Sequence, residues 1–287
     1  MHASRFPLPY PIPMLICGHF KLDLSRPLVM GIVNITPDSF SDGGQHLQHA
    51  AAIAHAQQLI ADGADIIDIG GESTRPGAQP VSTQEELDRV LPVIEGLRGV
   101  PTPLSVDTCK PEVMRTAIAA GVQMVNDINA LQDAAALDVV AASGVAVCLM
   151  HKQGNPQTMQ QQPHYQNTVA EVSAFLHGRI AAAEAAGIAC GRIVIDPGFG
   201  FGKTLVHNLD LLRHLGNLRE LGVPILAGLS RKSMLGAITG QDVSHRASAS
   251  IAAALIAVQR GASIVRVHDV RETVDALKIW NAVKTPS

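Results

Sequence analysis

Apolar residues gather along this chain in eight short runs, each closing on polar residues and each followed by a stretch of helical length. The closing positions are Asn34, the segment Gly70 to Arg75, Asp107, Asn126, Met150 with His151, Asp196, Ser230-Arg231-Lys232, and Arg266 with His268. The first run, Leu28 to Val33, is apolar without alternation, as expected of a parallel strand covered on both faces. Helical periodicity follows the runs over 46–63, 84–98, 111–120, 133–143, 168–187, 207–221, 245–260 and 270–283. Glycine stands just past several of these stretches, at Gly63, Gly99, Gly121, Gly144, Gly187, Gly222 and Gly261, where a helix ends in the left-handed conformation. The repeat predicts a single α/β domain over residues 14–287, a (β/α)8 TIM barrel. All strands of such a barrel point the same way, so their carboxyl ends surround one mouth and residues distant in sequence share a pocket.

Met14 to Ile16 and Phe20 to Leu24 flank Cys17-Gly18-His19, which predicts a short N-terminal hairpin placed to plug the amino-terminal end of the barrel. Residues 1–13 carry proline at 7, 9, 11 and 13 and lack the apolar core of a signal peptide. They read as a flexible tail, with Met14 competing with Met1 as the start. Turns on the helix-cap side are short, whereas three polar loops on the strand-exit side are long: Asn34 to Gln45, Gly70 to Thr83, and Lys152 to Asn167. Loops of that length in a compact α/β unit serve as lids or binding loops.

Composition narrows the function classes. With 47% hydrophobic residues and only 3% aromatic, the core must be aliphatic, which suits a barrel interior. The net charge of −3, with basic residues dispersed, leaves no footprint for nucleic acid or an anionic membrane, so the expected partner is a small molecule. No stretch approaches the ~18 apolar residues of a membrane helix. Cys17, Cys109, Cys148 and Cys190 are widely separated and form no CxxC pair, which predicts reduced, mostly buried thiols and a cytoplasmic protein. Cys109, two residues after Asp107, is the one thiol expected near the mouth.

The strand ends carry the candidate chemistry. The first loop reads Asn34-Ile-Thr-Pro-Asp-Ser-Phe-Ser-Asp-Gly-Gly44. Asn34 would face the mouth, where its amide oxygen can coordinate a hard cation such as Mg²⁺ or bond a substrate, and Asp38 and Asp42 can join it when the loop folds over. The second loop, Gly70-Gly71-Glu72-Ser73-Thr74-Arg75-Pro76-Gly77, offers a hydroxyl and a guanidinium fork for an anion or carboxylate. Asp107, Asn126 and Asp196 end three strands, and two carboxylates with an amide suit a flat heterocycle bearing several N–H groups. Ser230-Arg231-Lys232-Ser233 opens a helical stretch and fits a phosphate or carboxylate. Arg266 and His268, two apart on the last strand, leave it on one face and form a second expected anion site. Phe199 and Phe201 sit in the glycine-rich turn Asp196-Pro-Gly-Phe-Gly-Phe-Gly-Lys203. In a chain with one Trp, two Tyr and six Phe they are expected, with Phe40, to offer a stacking surface rather than core. No GxGxxG, HExxH or zinc set accompanies them.

Taken together, Asn34 to Gly44, Gly70 to Gly77, Ser105-Val-Asp-Thr108, Asn126-Asp127, Asp196 to Lys203, Ser230 to Ser233 and Arg266-Val-His268 resemble the dihydropteroate synthase family of pterin-binding TIM barrels. The resemblance runs from about residue 22 to the carboxyl end, in the family's order. It implies condensation of 7,8-dihydropterin pyrophosphate with p-aminobenzoate, releasing pyrophosphate with Mg²⁺, in folate biosynthesis. It further implies that Asp107, Asn126 and Asp196 bind the pterin edge, with Lys232, Arg266, Phe201 and Met150 about the ring and Gly228 admitting it close to the backbone. Asn34, Arg266 and His268 would hold the diphosphate, Asn34 also the metal. Phe40, Thr74, Arg75, Pro76, Phe201 and Ser233 would form the p-aminobenzoate pocket, which sulfonamides occupy in this family. A homodimer through the last helices is implied as well. The chain departs from the family at Ile128-Asn129-Ala130 and Lys152, positions expected to touch none of these roles.

The expected mechanism is electrostatic more than acid–base. Arg266, His268 and Mg²⁺ hold the leaving charge, the pterin methylene becomes cation-like, and Asp42 stabilises that cation, so Asp42, Lys232, Arg266 and His268 are the catalytic candidates. Two other readings compete: a pterin-binding methyltransferase barrel serving a corrinoid partner, and a non-catalytic pterin-binding paralogue. The first leaves Phe40, Thr74-Arg75 and the Ser-Arg-Lys-Ser segment unexplained, and the second predicts damaged lid loops where both are whole.

Overall fold

The computed structural model describes residues 14–35, 45–73, 77–154 and 158–284. The tail proposed over 1–13 lies outside that range. β1 (Met14–Cys17) and β2 (Phe20–Asp23) form the antiparallel hairpin, Met14 opposite Asp23. β3 (Leu28–Asn34), α1 (Gln45–Ala61), β4 (Ile66–Gly70), α2 (Thr83–Gly96), β5 (Leu104–Asp107), α3 (Pro111–Ala120), β6 (Met124–Asp127) and α4 (Ala134–Ala141) follow in alternation. The second half continues with β7 (Ala146–Met150), α5 (Thr168–Ala185), β8 (Ile193–Asp196), α6 (Leu205–Arg213), β9 (Leu226–Ala227), α7 (Ser233–Thr239), α8 (Ala247–Gln259), β10 (Ile264–Val267) and α9 (Val270–Lys284).

The eight strands β3 to β10 run parallel in the order β8-β7-β6-β5-β4-β3-β10-β9. An isolated parallel bridge between Ile195 and Ile225 closes the seam between β8 and β9, where the Ile195 N–H donates to Pro224 O over 3.0 Å. Strand side chains alternate faces, and here the alternation separates two cores. Val29, Ile67, Val125, Val147, Ile195 and Val265, all at odd positions, pack outward under the helices together with Val106 of β5. The even positions Leu28, Met30, Ile66, Met124, Cys148, Val194, Leu226 and Ile264 fill the lower interior with Leu15 and Cys17 of the hairpin. The hairpin thus plugs the amino-terminal end, as its sequence predicts.

Two helical stretches differ from expectation. The stretch over 207–221 divides into α6 and a 3-10 segment from Leu215 to Leu221. Gly216 and Asn217 are poor helix formers, and the chain tightens there. The stretch over 245–260 begins with a 3-10 turn at Val243–His245, and α8 starts at Ala247.

Candidate active site at the carboxyl ends of the strands

Strand register sets the row of candidate residues. Asn34 pairs with Gly70, Gly70 with Asp107, and Asp107 with Asn126, so four strand ends lie level. Met150 lies level with Asp196 on the next pair. Asn34, Asp107, Asn126, Met150 and Asp196 all line one cavity of about 630 Å³ at the mouth, within the ~300–1,000 Å³ usual for small-molecule sites. Phe201, Gly228, Lys232, Ser233, Arg266 and His268 line the same cavity. The missing side chain of Gly228 leaves open the space between Asp196 and Arg266; a Cβ there would stand 3.7 Å from Asp196 Oδ2.

The floor is an ion-pair network centred on a residue that the strand ends alone do not reveal. Asp68, fully buried on β4, accepts from Arg266 Nε at 2.6 Å and from Asn126 Nδ2 at 3.0 Å, both on Oδ2. Arg266 Nη2 donates to Asp107 Oδ2 at 2.7 Å, and Nη1 has no partner among the described residues. Burial opposes the Arg266 charge, but Asp68 and Asp107 outweigh it and hold the guanidinium above its ordinary pKa. Asp107 is pushed up to about 7, first by burial, against the pull of Arg266 and with help from neighbouring carboxylates. Its Oδ1 is buried with no hydrogen-bond partner among the described residues. Burial also raises Asp196, opposed by Lys232 and by the Gly198 N–H, which donates to Asp196 Oδ1 at 2.7 Å. Two buried carboxylates with acceptor capacity to spare call for N–H donors from a ligand.

Lys232 meets this floor from the opposite wall. Its Nζ donates to Phe199 O and sits 4.6 Å from the Phe201 ring centroid. Burial lowers its pKa to about 8, opposed by Asp196. Phe201 lines the cavity as expected; Phe199 lines it too, but with no exposed surface it belongs to the outer core and offers no open stacking face. Ile128 also departs from expectation, because it lines the cavity instead of standing clear of it.

At the anion end, Ser230 Oγ accepts from the His268 backbone N–H at 3.2 Å and lies 2.9 Å from His268 Nδ1. Donor and acceptor roles across Ser230 Oγ and His268 Nδ1 follow the tautomer: where the hydroxyl donates to Nδ1, a neutral imidazole carries its proton on Nε2. Arg231, held at φ 57°, forks onto Asp269 at 2.5 and 3.3 Å and lines the cavity together with Lys232 and Ser233. Among the described residues no three His, Cys, Asp or Glu side chains gather as a metal group. Asn34 supplies one neutral oxygen, which fits a Mg²⁺ held mostly by substrate phosphates and water.

A second buried cluster braces the root of the second long loop. Lys110 Nζ donates to Glu72 Oε2 at 2.6 Å and to the fully buried Glu86 Oε2 at 2.5 Å. Glu72 itself lines the cavity. Cys109 beside it is pushed up to about 11 by burial and then by Asp127 and Glu72, which disfavours its thiolate. Cys190, by contrast with the buried thiols expected, is exposed. Phe40, Asp38, Asp42, Thr74, Arg75 and Pro76 lie outside the described residues. Asp68 was legible by parity, as the only charge in Ile66-Ile67-Asp68-Ile69 and two positions before Gly70. Glu72, Lys110 and Glu86 had no comparable signal.

The chain matches the model of a family described as pterin binding enzyme over residues 30–268. It is 53% identical to dihydropteroate synthase of Neisseria meningitidis serogroup C over 271 residues, covering 93% of this chain and 96% of that one. Among solved structures it resembles Xanthomonas albilineans dihydropteroate synthase with 4-aminobenzoic acid, at 56% identity and a TM-score of 0.91, covering 96% and 99% of the two chains. The structure of a Xanthomonas albilineans dihydropteroate synthase in complex with 7,8-dihydropteroate superposes with a TM-score of 0.85 at 51% identity, covering 96% and 100%.

Proposed function

This chain belongs to the pterin-binding enzyme family, and from that premise we propose that it is a transferase of folate biosynthesis that condenses 7,8-dihydropterin pyrophosphate with p-aminobenzoate, giving 7,8-dihydropteroate and pyrophosphate. The observation that carries the reading is the convergence of Asp107, Asn126 and Asp196 on one cavity, with a buried Asp107 oxygen lacking a donor. The amino and ring N–H groups of a pterin supply such donors along one edge. Donation into Asp107 favours its carboxylate form and relieves the burial that raises its pKa.

The ring then lies between Met150 and the Lys232–Phe201 pair, with Gly228 admitting its face. Its methylene side points to the anion end, where Arg266 Nη1 and His268 Nε2 donate to the diphosphate. Mg²⁺, held by Asn34 and the diphosphate oxygens, would add further charge neutralisation to the leaving group. As the C–O bond stretches, negative charge passes to pyrophosphate and these fixed donors stabilise it. The methylene carbon is left electron-poor and is attacked by the neutral arylamine nitrogen, which loses a proton afterwards. Asp42 is assigned to stabilise that carbon, and Phe40, Thr74, Arg75 and Pro76 to enclose the arylamine with Phe201 and Ser233. Sulfonamides would compete for the same pocket.

The identity to named synthases argues against the corrinoid-dependent and non-catalytic readings. A homodimer through the last helices is part of the proposal, supported by exposed Ile238, Val243 and Ile256 on and between α7 and α8. A cytoplasmic setting is supported by four free cysteines and by the lack of any helix, among the described residues, long and apolar enough to cross a membrane. Calorimetric titration of dihydropterin pyrophosphate tests the pocket: Asp107→Ala is expected to weaken binding by at least about tenfold, as loss of a charged hydrogen bond of ~1.5–3 kcal/mol requires. Undiminished binding by that variant sinks the assignment.

A further inference from the structure

Lys203, which closes the glycine-rich turn after β8, lies behind the cavity wall and is only 3% exposed. An ammonium has three donors and no acceptor, and Lys203 Nζ finds three acceptors: Gly198 O at 2.9 Å, Phe201 O at 3.1 Å and His151 Nδ1 at 3.0 Å. Two belong to the turn itself and the third to the loop that leaves β7. The two loops touch at the backbone. A Cβ on Gly198 would fall 1.8 Å from His151 O, and one on Gly202 would fall 2.3 Å from Gln153 O. The His151 N–H also donates to Asp196 O at 2.9 Å.

The groups fixed by this turn face the cavity. The Gly198 N–H orients Asp196, the Phe199 carbonyl receives Lys232, and Phe201 presents its ring beneath the same ammonium. Burial, with Lys232 nearby, pulls the Lys203 pKa down to about 7. An apolar side chain of equal length would fill the space without that cost, so what the charge adds is the three hydrogen bonds.

We propose that Lys203 is a positioning residue for pterin recognition: by tying the loops after β7 and β8 together, it holds Asp196, Phe201 and Lys232 in their binding arrangement. The proposal rests on the assignment of this cavity to a pterin. It touches no reacting atom and acts through the turn alone.

The test is a double-mutant cycle on the full chain, with dihydropterin pyrophosphate binding measured by calorimetry for wild type, Lys203→Met, Phe201→Ala and the double variant. Thermal melts identify the folded variants. Lys203→Met is expected to fold and to bind about tenfold more weakly. The double variant is expected to lose less than the product of the single losses, because both changes act on one turn. Strictly multiplicative losses, or unchanged affinity in Lys203→Met despite a lowered melting temperature, overturn the positioning role. Should Lys203→Met fail to fold, Lys203→Gln, which keeps two donors, carries the same cycle with the same two outcomes. Wild type that does not bind the pterin would instead overturn the cavity assignment, so the two failures are distinguishable.

Discussion

Asp68 shows how much one buried side chain can organise. A single oxygen receives both Arg266 and Asn126, which fixes the orientation of two pocket residues from below. Asp68→Ala leaves Arg266 with Asp107 as its sole carboxylate partner and strips Asn126 Nδ2 of its acceptor. Breaking a buried pair from one side costs ~3–5 kcal/mol, so urea unfolding is expected to show a loss of that size. Unchanged stability would contradict the network. Lys232 gives a pH-dependent counterpart. Its ammonium is disfavoured in the fold, with a pKa lowered from 10.5 to about 8. Between those values the unfolded chain binds more protons, so the contribution of Lys232 to stability rises with pH through that window and is lost as pH falls. The stability of wild type relative to Lys232→Met should therefore increase from pH 8 to pH 10 in urea titrations, and a pH-independent difference would refute the burial of its charge.

At the level of elements, alternation within each strand decides what faces the helices and what faces the interior. The strand-end polar residues were legible because a barrel collects them at one mouth whatever their sequence separation. Lys203 was not, since a lysine after a glycine-rich turn looks like a surface residue until three backbone and side-chain acceptors surround it. The full burial of Phe199, which lines the cavity, was not legible for a related reason: sequence shows that an aromatic lies in a turn but not which way its ring points. The hairpin of β1 and β2 was legible from its two apolar segments, and it occupies the end opposite the chemistry. Leu15 packs there with Met30 and Ile66 and has no exposed surface. Leu15→Ala is expected to cost ~2–5 kcal/mol of stability while leaving kcat and KM near wild type at temperatures where the variant is folded. A comparable loss in kcat/KM would show that the plug and the mouth are coupled.

For the whole molecule, the parallel barrel brings the proposed pterin-edge set, the proposed anion-binding set and the roots of two long loops to one cavity. Asp107, Asn126 and Asp196 come from β5, β6 and β8, while Asn34, Arg266 and His268 come from or just follow β3 and β10, which are hydrogen-bonded neighbours. Closure of the strand order is what makes first and last strands adjacent, and so brings together Asn34, Arg266 and His268, the residues proposed to hold the leaving group. The central claim is that this one cavity joins two substrates and releases pyrophosphate. It is tested most directly by following pyrophosphate release from dihydropterin pyrophosphate and Mg²⁺, with and without p-aminobenzoate. Release that depends on the arylamine and yields dihydropteroate in equal amount is the predicted result; binding of the pterin with no arylamine-dependent release would contradict the account.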